Sequence, residues 1–378
     1  MRVLWRTRSA PILVHPMKRV ARFVVRPLVV GPIVVVLVAS AIGAYALRDR
    51  EPPAPAITAA LGNLNAEPEI VKPMYRPPTP TPTPTPTPKP ALPKPKPKRV
   101  KRVVGPSLIA FRDLGAWVDL YDYDKIVPET SVADMHARGV KTLYVQTGRW
   151  NKPAKESSEP FMDRAMLERW LNAAHANGMK AVGWYLPAYD DMTRDIRRTR
   201  AIALYRTSTG QAFDGLGIDI EYRAQVPSLT DWNAAVAEHA RRVRALLGRR
   251  YPIAAIVPAP LQMEVRPDYW AGFPWAALAD SSDVFMPMAY WSFRHDCPEN
   301  PEHCAYGYTK GSVEKVRALT GKPHVPVHVI GGVADSITTD DVRDFVNAAI
   351  RTGVYGGSLY DYLSTKPEYW APLEKLND

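Results

Sequence analysis

Several signatures of common enzyme classes are missing from this chain. It contains no phosphate-cradling glycine loop, no dinucleotide fingerprint and no nucleophile elbow, so nothing points to a nucleotide, a nicotinamide or a bound cofactor of any kind. Cysteine is almost absent, with Cys297 and Cys304 the only two in 378 residues. Acidic residues are scarce at one end: residues 1–26 have none, and residues 1–102 carry 18 Lys and Arg against 4 Asp and Glu. The rest of the chain carries 31 against 34, so the net charge of +11 belongs to the leading segment. The remainder is slightly acidic, which gives no footprint for nucleic acid.

Residues 1–27 read as a basic cytoplasmic segment. Residues 28–47 then run twenty positions without a charge, enough to cross a bilayer as a helix. The basic flank comes first, so the positive-inside rule puts the N-terminus in the cytoplasm and the C-terminal part outside. Ala39-Ser40-Ala41 and Ala44-Tyr45-Ala46 also fit a signal-peptide cleavage site. The segment is therefore an anchor or a removed signal, and the C-terminal part is exported in both readings. Residues 48–104 form a linker with five Thr-Pro pairs over 79–88 and a Lys-Pro run after it. Alternating proline fixes φ and removes donors, so this stretch is expected to be extended and unpacked. Its basic end, through Arg102, suits anionic envelope polymers or lipid headgroups, or is simply solvated.

From 105 to 378 short apolar runs alternate with helical patterns. Candidate strands cover 113–120, 140–147, 179–185, 215–221, 252–258, 283–290, 324–330 and 356–361. The clearest helices cover 162–177, 229–249 and 338–352, the last capped by Thr339 or Asp340 and ended by Gly353. Eight strand–helix units over some 270 residues predict an α/β fold, a (β/α)8 barrel. Chemistry in such barrels sits at the carboxyl ends of the strands. Those ends carry Asp119, Gln146, Trp184, Tyr185, Asp219, Glu221, Tyr290, Trp291, Tyr360 and Asp361, with Trp150 close behind strand two. Aromatic rings mixed with carboxylates and amides match the apolar faces and hydroxyl rims of sugars. His328 reads as a satisfied core histidine, and Trp170, Trp232, Trp270 and Trp275 as packing between helices.

Asp219 and Glu221 stand two apart on the fourth strand, so both point to one side. Two acids facing a barrel interior are costly to desolvate. Together they suit a proton donor tuned by a neighbouring carboxylate. The plainer alternative is a strand end whose acids pair with arginines such as Arg223.

The run Asp214-Gly215-Leu216-Gly217-Ile218-Asp219-Ile220-Glu221 resembles the Asp-Gly-x-Asp-x-Asp-x-Glu signature of the chitinase-like glycoside hydrolases of family 18. Met286-Pro287-Met288-Ala289-Tyr290 resembles that family's Met-x-Tyr-Asp element on strand six. The resemblance implies a barrel in which Glu221 is the general acid, Asp219 its partner, and Tyr290 a holder of the substrate's acetamido group. Asp119, Gln146, Trp150, Trp184, Tyr185, Trp291, Tyr360 and Asp361 would line the sugar cleft. Three positions depart from the pattern: Gly217 replaces the first inner Asp, Trp291 replaces the Asp after the tyrosine, and strand eight ends in Tyr360-Asp361 rather than tryptophan. A family 25 lysozyme-like barrel, with Asp119 on strand one, is a more distant likeness. A nucleophile on strand seven is disfavoured because residues 323–332 contain no acid.

The expectation is thus a membrane-anchored glycoside hydrolase-like barrel acting on an envelope or extracellular polysaccharide, an amino-sugar polymer first. The alternatives are a sugar-binding barrel without turnover and a protein-docking scaffold. Cys297 and Cys304, close together in an exported loop, are expected to pair. His295 and His303 beside them leave a zinc reading open.

Overall fold

The computed structural model describes residues 106–378. The segments assigned above to 1–27, 28–47 and 48–104 lie outside the described residues; among those described, no helix is long and apolar enough to cross a membrane. Eight parallel strands close into a barrel in sequence order. They are β1 (Asp113–Val118), β2 (Thr142–Arg149), β3 (Lys180–Leu186), β4 (Gly215–Asp219), β5 (Ile253–Pro258), β6 (Val284–Met288), β7 (His328–Val333) and β8 (Gly356–Tyr360). The expected barrel is therefore the observed one.

Successive side chains on a strand face opposite ways, which divides the core in two. Inward residues form one cluster around Trp117, Tyr144, Trp184, Ile256, Met286 and Ile330. Outward residues form a larger cluster under the helices α1 (Pro128–Ala137), α2 (Arg164–Ala176), α3 (Met192–Leu204), α4 (Leu229–Leu247), α5 (Trp275–Ser281), α6 (Ala305–Leu319) and α7 (Thr339–Arg351). Because both faces are covered, strands such as β5 are apolar throughout rather than alternating.

Two boundaries differ from expectation for identifiable reasons. Helix α7 is capped by Thr338, not Thr339 or Asp340. Thr338 accepts from the Asp341 backbone N–H at 3.2 Å while Asp341 accepts from that of Thr338 at 2.9 Å. Only Thr338 has an acid three positions on to close this reciprocal pair. Gly353 does end the helix, at φ +59°. Strand β7 starts at His328 rather than 324 because Pro323 and Pro326 cannot donate to a ladder. It then runs through Gly331 and Gly332, where a Cβ would lie 2.7 and 2.9 Å from the Trp291 ring. The next acid after this strand, Asp335, is exposed.

The barrel floor is closed by a polar seam within the aromatic cluster. His328 is completely buried; its Nδ1 lies 3.0 Å from the Phe111 carbonyl and its Nε2 3.0 Å from Ser358 Oγ. Ser358 in turn accepts from Trp117 Nε1 at 2.8 Å. That chain fits a neutral imidazole with its proton on Nδ1. Burial accordingly pushes the His328 pKa down to about 4. His328 is a core residue, as its sequence context suggested.

Candidate active site

At the opposite end of the barrel, β4 delivers Asp219 on its last residue and Glu221 two positions on. Asp219 is buried, and Glu221 is half-buried at the mouth. Burial pushes the Asp219 carboxyl well up from the usual range, and the neighbouring Glu221 charge adds to the effect. Burial also raises Glu221. Asp219 Oδ1 is out of solvent with no hydrogen-bond partner among the described residues. No ion pair reaches either acid among the described residues, so the alternative of a surface pair with Arg223 does not hold. A buried, unsatisfied carboxylate is destabilising unless it shares a proton or meets a ligand.

One cation faces the pair. Arg149, at the end of β2, draws both acids downward against the effect of burial. Its Nη1 donates to the Tyr121 hydroxyl at 2.6 Å, and its Nε is buried without a partner. Tyr189, whose backbone has φ +64°, carries a buried hydroxyl without a partner, in the field of Asp219. Neither residue is legible in the sequence. Arg149 and Glu221 are 72 positions apart, and only barrel closure makes them neighbours; the strained φ of Tyr189 has no signal in residue type.

A second set of acids gathers at the ends of β1 and β8. Carboxylate oxygens of Asp119, Asp122 and Asp361 lie within 4.8 Å of one another. Asp119 accepts from the Tyr121 backbone N–H at 2.7 Å and from the Tyr360 hydroxyl at 2.8 Å. Asp361 accepts from Ser364 N–H and Oγ, both at 2.9 Å, and burial raises it. Asp122 is pushed up to about 7 by burial and by the charges of Asp119 and Asp361, while its ion pair with Lys125 pulls the other way. Tyr290 lies between the two sets. Its phenol is raised by burial and then by Glu221, Asp219 and Asp361, and its ring is 6.2 Å from that of Tyr360.

The remaining candidates separate by strand parity. Trp184 faces inward, 4% exposed, edge-on to Trp117 at 5.7 Å, with its indole N–H unpaired. Tyr185, the next residue, faces outward and donates to Asp195 at 2.7 Å beneath α3. Trp291 likewise packs outside the barrel, 5.2 Å from Phe345. Neither Tyr185 nor Trp291 reaches the mouth. Gln146 is buried and accepts from the Leu120 backbone N–H at 3.2 Å, bracing the loop that carries Asp119. Trp150 lies at the rim, stacked on Tyr222 at 5.1 Å, with Lys155 Nζ 4.6 Å over its ring. Its loop is fixed by the completely buried Arg198, whose guanidinium donates to the carbonyls of Arg149, Trp150, Pro153 and Ala154 at 2.7–3.1 Å.

Gly217 sits one inward position below Asp219, in register with Trp184. A Cβ there would lie 3.0 Å from both Ile256 Cδ1 and Trp184 Cβ. The volume that an inner aspartate would need is thus occupied by the aromatic floor. Cys297 and Cys304 are joined by a disulfide with Cα atoms 5.1 Å apart, so neither sulfur is a thiolate for zinc. His303 pairs instead with Asp296 at 2.7 Å.

No family model and no curated protein matches this chain. Solved structures do. A family 18 chitinase from Cycas revoluta in complex with allosamidin matches at 12% identity and TM-score 0.51, covering 70% of this chain and 98% of that one. An endo-β-1,4-mannanase from Thermotoga petrophila matches at 14% and 0.50, covering 67% and 68%. A chitinase-like agglutinin from Robinia pseudoacacia matches at 12% and 0.50, covering 70% and 99%. At these identities the likeness is one of fold: residues 106–378 are built like the barrels of family 18 chitinases and related glycoside hydrolases.

Proposed function

We propose that the barrel is a glycoside hydrolase that cleaves an envelope or extracellular polysaccharide, with an amino-sugar polymer as its substrate class. The observation that carries this is the Asp219/Glu221 pair at the end where such barrels react: Asp219 is buried with an oxygen the described residues leave unsatisfied, and Glu221 stands beside it at the mouth. Glu221 is the member at the mouth, so it is the one to protonate the leaving oxygen. Asp219, deeper, shares the pair's proton and orients the attacking group. Tyr290 donates its hydroxyl to that group. Asp119, Trp150, Trp184, Tyr360 and Asp361 shape the cleft. Residues 28–47 tether or deliver the barrel outside the cytoplasmic membrane, and the disulfide suits that compartment. Protease added outside intact cells should therefore degrade the barrel; protection until lysis would reverse the topology.

A second reading, a sugar-binding barrel without turnover, is favoured by Gly217. Without an inner acid beneath it, Asp219 lacks the group that would reset it between cycles. A panel of polysaccharides scored for both binding and released reducing ends separates the two. Hydrolysis confined to polymers with 2-acetamido groups supports substrate-assisted cleavage. Binding without product supports the second reading, and no binding at all refutes both.

A further inference from the structure

Arg223 follows Glu221 by two residues and takes no part in holding the acid pair, since neither acid's shift owes anything to it. Its Nε and Nη1 are out of solvent and have no hydrogen-bond partner among the described residues. A desolvated guanidinium with unmet donors is unfavourable and is ordinarily matched by a planar anion. The group is nevertheless held in place, with Cζ 4.0 Å over the Tyr269 ring. Arg266 lies over the same ring at 5.7 Å, so two cations converge on one tyrosine. Asp268 lies 3.9 Å from Arg266 with a side chain 81% exposed, and no ion pair reaches Arg223 among the described residues. A third cation, Lys155, donates to Gln225 at 3.1 Å and lies over the Trp150 ring at the rim, its charge shared with Asp190 at 3.3 Å.

We propose that Arg223 is a specificity-determining residue that binds a carboxylate on the polysaccharide, so that the substrate is an anionic polymer rather than a neutral one. The proposal rests on the carbohydrate reading above and narrows it. Two residues of extended chain span at most about 7 Å, so a carboxylate held by Arg223 belongs to a sugar next to the bond that Glu221 would protonate. A neutral glycan offers the guanidinium single hydroxyl or carbonyl acceptors but neither the opposite charge nor the fork. An anionic one completes a forked pair on a surface already flattened by Tyr269. The local cations also reconcile an anionic ligand with a globular part whose net charge is negative.

The test uses the full-length Glu221→Gln protein, which should cleave too slowly to consume the probes, and two matched probes. One is a tetrasaccharide of N-acetylglucosamine alternating with its 3-O-lactyl ether, which bears a carboxylate. The other is the same oligosaccharide with its carboxyl groups reduced to alcohols. The acidic form should bind about tenfold or more tighter at low salt, with the advantage shrinking as salt rises. Adding Arg223→Gln should erase the difference and leave the reduced probe's affinity unchanged. Arg223→Lys, which keeps the charge and loses the fork, should retain part of it and covers the case in which Arg223→Gln does not fold. Equal binding of the two probes by the parent, or a preference that survives Arg223→Gln, overturns the anionic subsite while leaving the carbohydrate reading intact. Failure of both probes to bind removes the subsite together with that reading.

Discussion

The mouth of the barrel holds two groups of buried carboxylates that the protein treats differently. Asp119 and Asp361 receive hydrogen bonds from backbone N–H groups, from Tyr360 and from Ser364, while Asp122 has Lys125 on one oxygen and keeps the other, Oδ2, buried without a partner among the described residues. Asp219, on the far wall, keeps an oxygen with no partner at all among the described residues. Asp219 is as deep as Asp119 and Asp122; what differs is the counter-charge, since Asp122 has a lysine and Asp219 has no ion pair among the described residues. Acids tied into a loop by the fold's own donors stabilise that loop, and removing a donor costs stability. Acids left unsatisfied are a strain the fold tolerates, and strain of that kind concentrates where a ligand or a proton completes the site.

Exchanging Asp219 for Asn is the sharpest way to break this contrast. The rate of polysaccharide cleavage should fall by about 10²–10³ and the pH–rate profile should shift, because the carboxyl that shares a proton with Glu221 is gone. The midpoint of thermal unfolding should hold or rise as the buried repulsion is relieved. A large drop in that midpoint would put Asp219 with the structural acids.

The disulfide gives the next largest effect. Reducing Cys297–Cys304 should cost roughly 2–3 kcal/mol in denaturant unfolding, since the closed loop is short. Sugar binding should change little, because none of the cleft residues lies in that loop.

The structural trio responds more modestly. Tyr360→Phe removes a donor to Asp119 and should cost about 1–2 kcal/mol. Asp122 sharpens the comparison through pH. Its folded pKa, about 7, is raised above the ordinary value of 3.8. Its contribution to stability is therefore fully present below the unfolded value and is lost as pH rises through about 7. Unfolding midpoints followed from about pH 4 to pH 8 should fall across that window in the wild type more than in Asp122→Asn. Parallel curves would mean that Lys125 neutralises Asp122 throughout.

The barrel was legible because eight apolar runs alternate with helical patterns, and that periodicity survives even where ends are misjudged. Strand parity was legible too, but had to be applied. Trp184 and Tyr185 are consecutive on β3, so only one can face inward: Trp184 takes the interior while Tyr185 serves the outer core, as does Trp291, which lies past the end of β6 in a short 3-10 turn. The acid pair could be read directly, because i and i+2 on one strand share a face. Partners brought together by closure of the barrel could not be read. Arg149 beside Glu221, Arg198 gathering four carbonyls of the β2 loop, and Arg223 on Tyr269 each join different strand–helix units. Asp122 was closer to hand, three positions after Asp119 in a turn, where its backbone N–H bonds the Asp119 carbonyl at 3.2 Å. Gly217 was visible as a departure; the reason for it, a floor filled by Trp184 and Ile256, needed the packing.

The most direct measurement is the turnover and sugar affinity of Glu221→Gln side by side with wild type. The substitution keeps the shape and removes the transferable proton. If Glu221 is the general acid, release of reducing ends falls by roughly 10²–10⁴ while affinity and unfolding midpoint stay at wild-type values. Wild-type turnover in Glu221→Gln, or loss of the fold, would contradict the role assigned to the β4 pair.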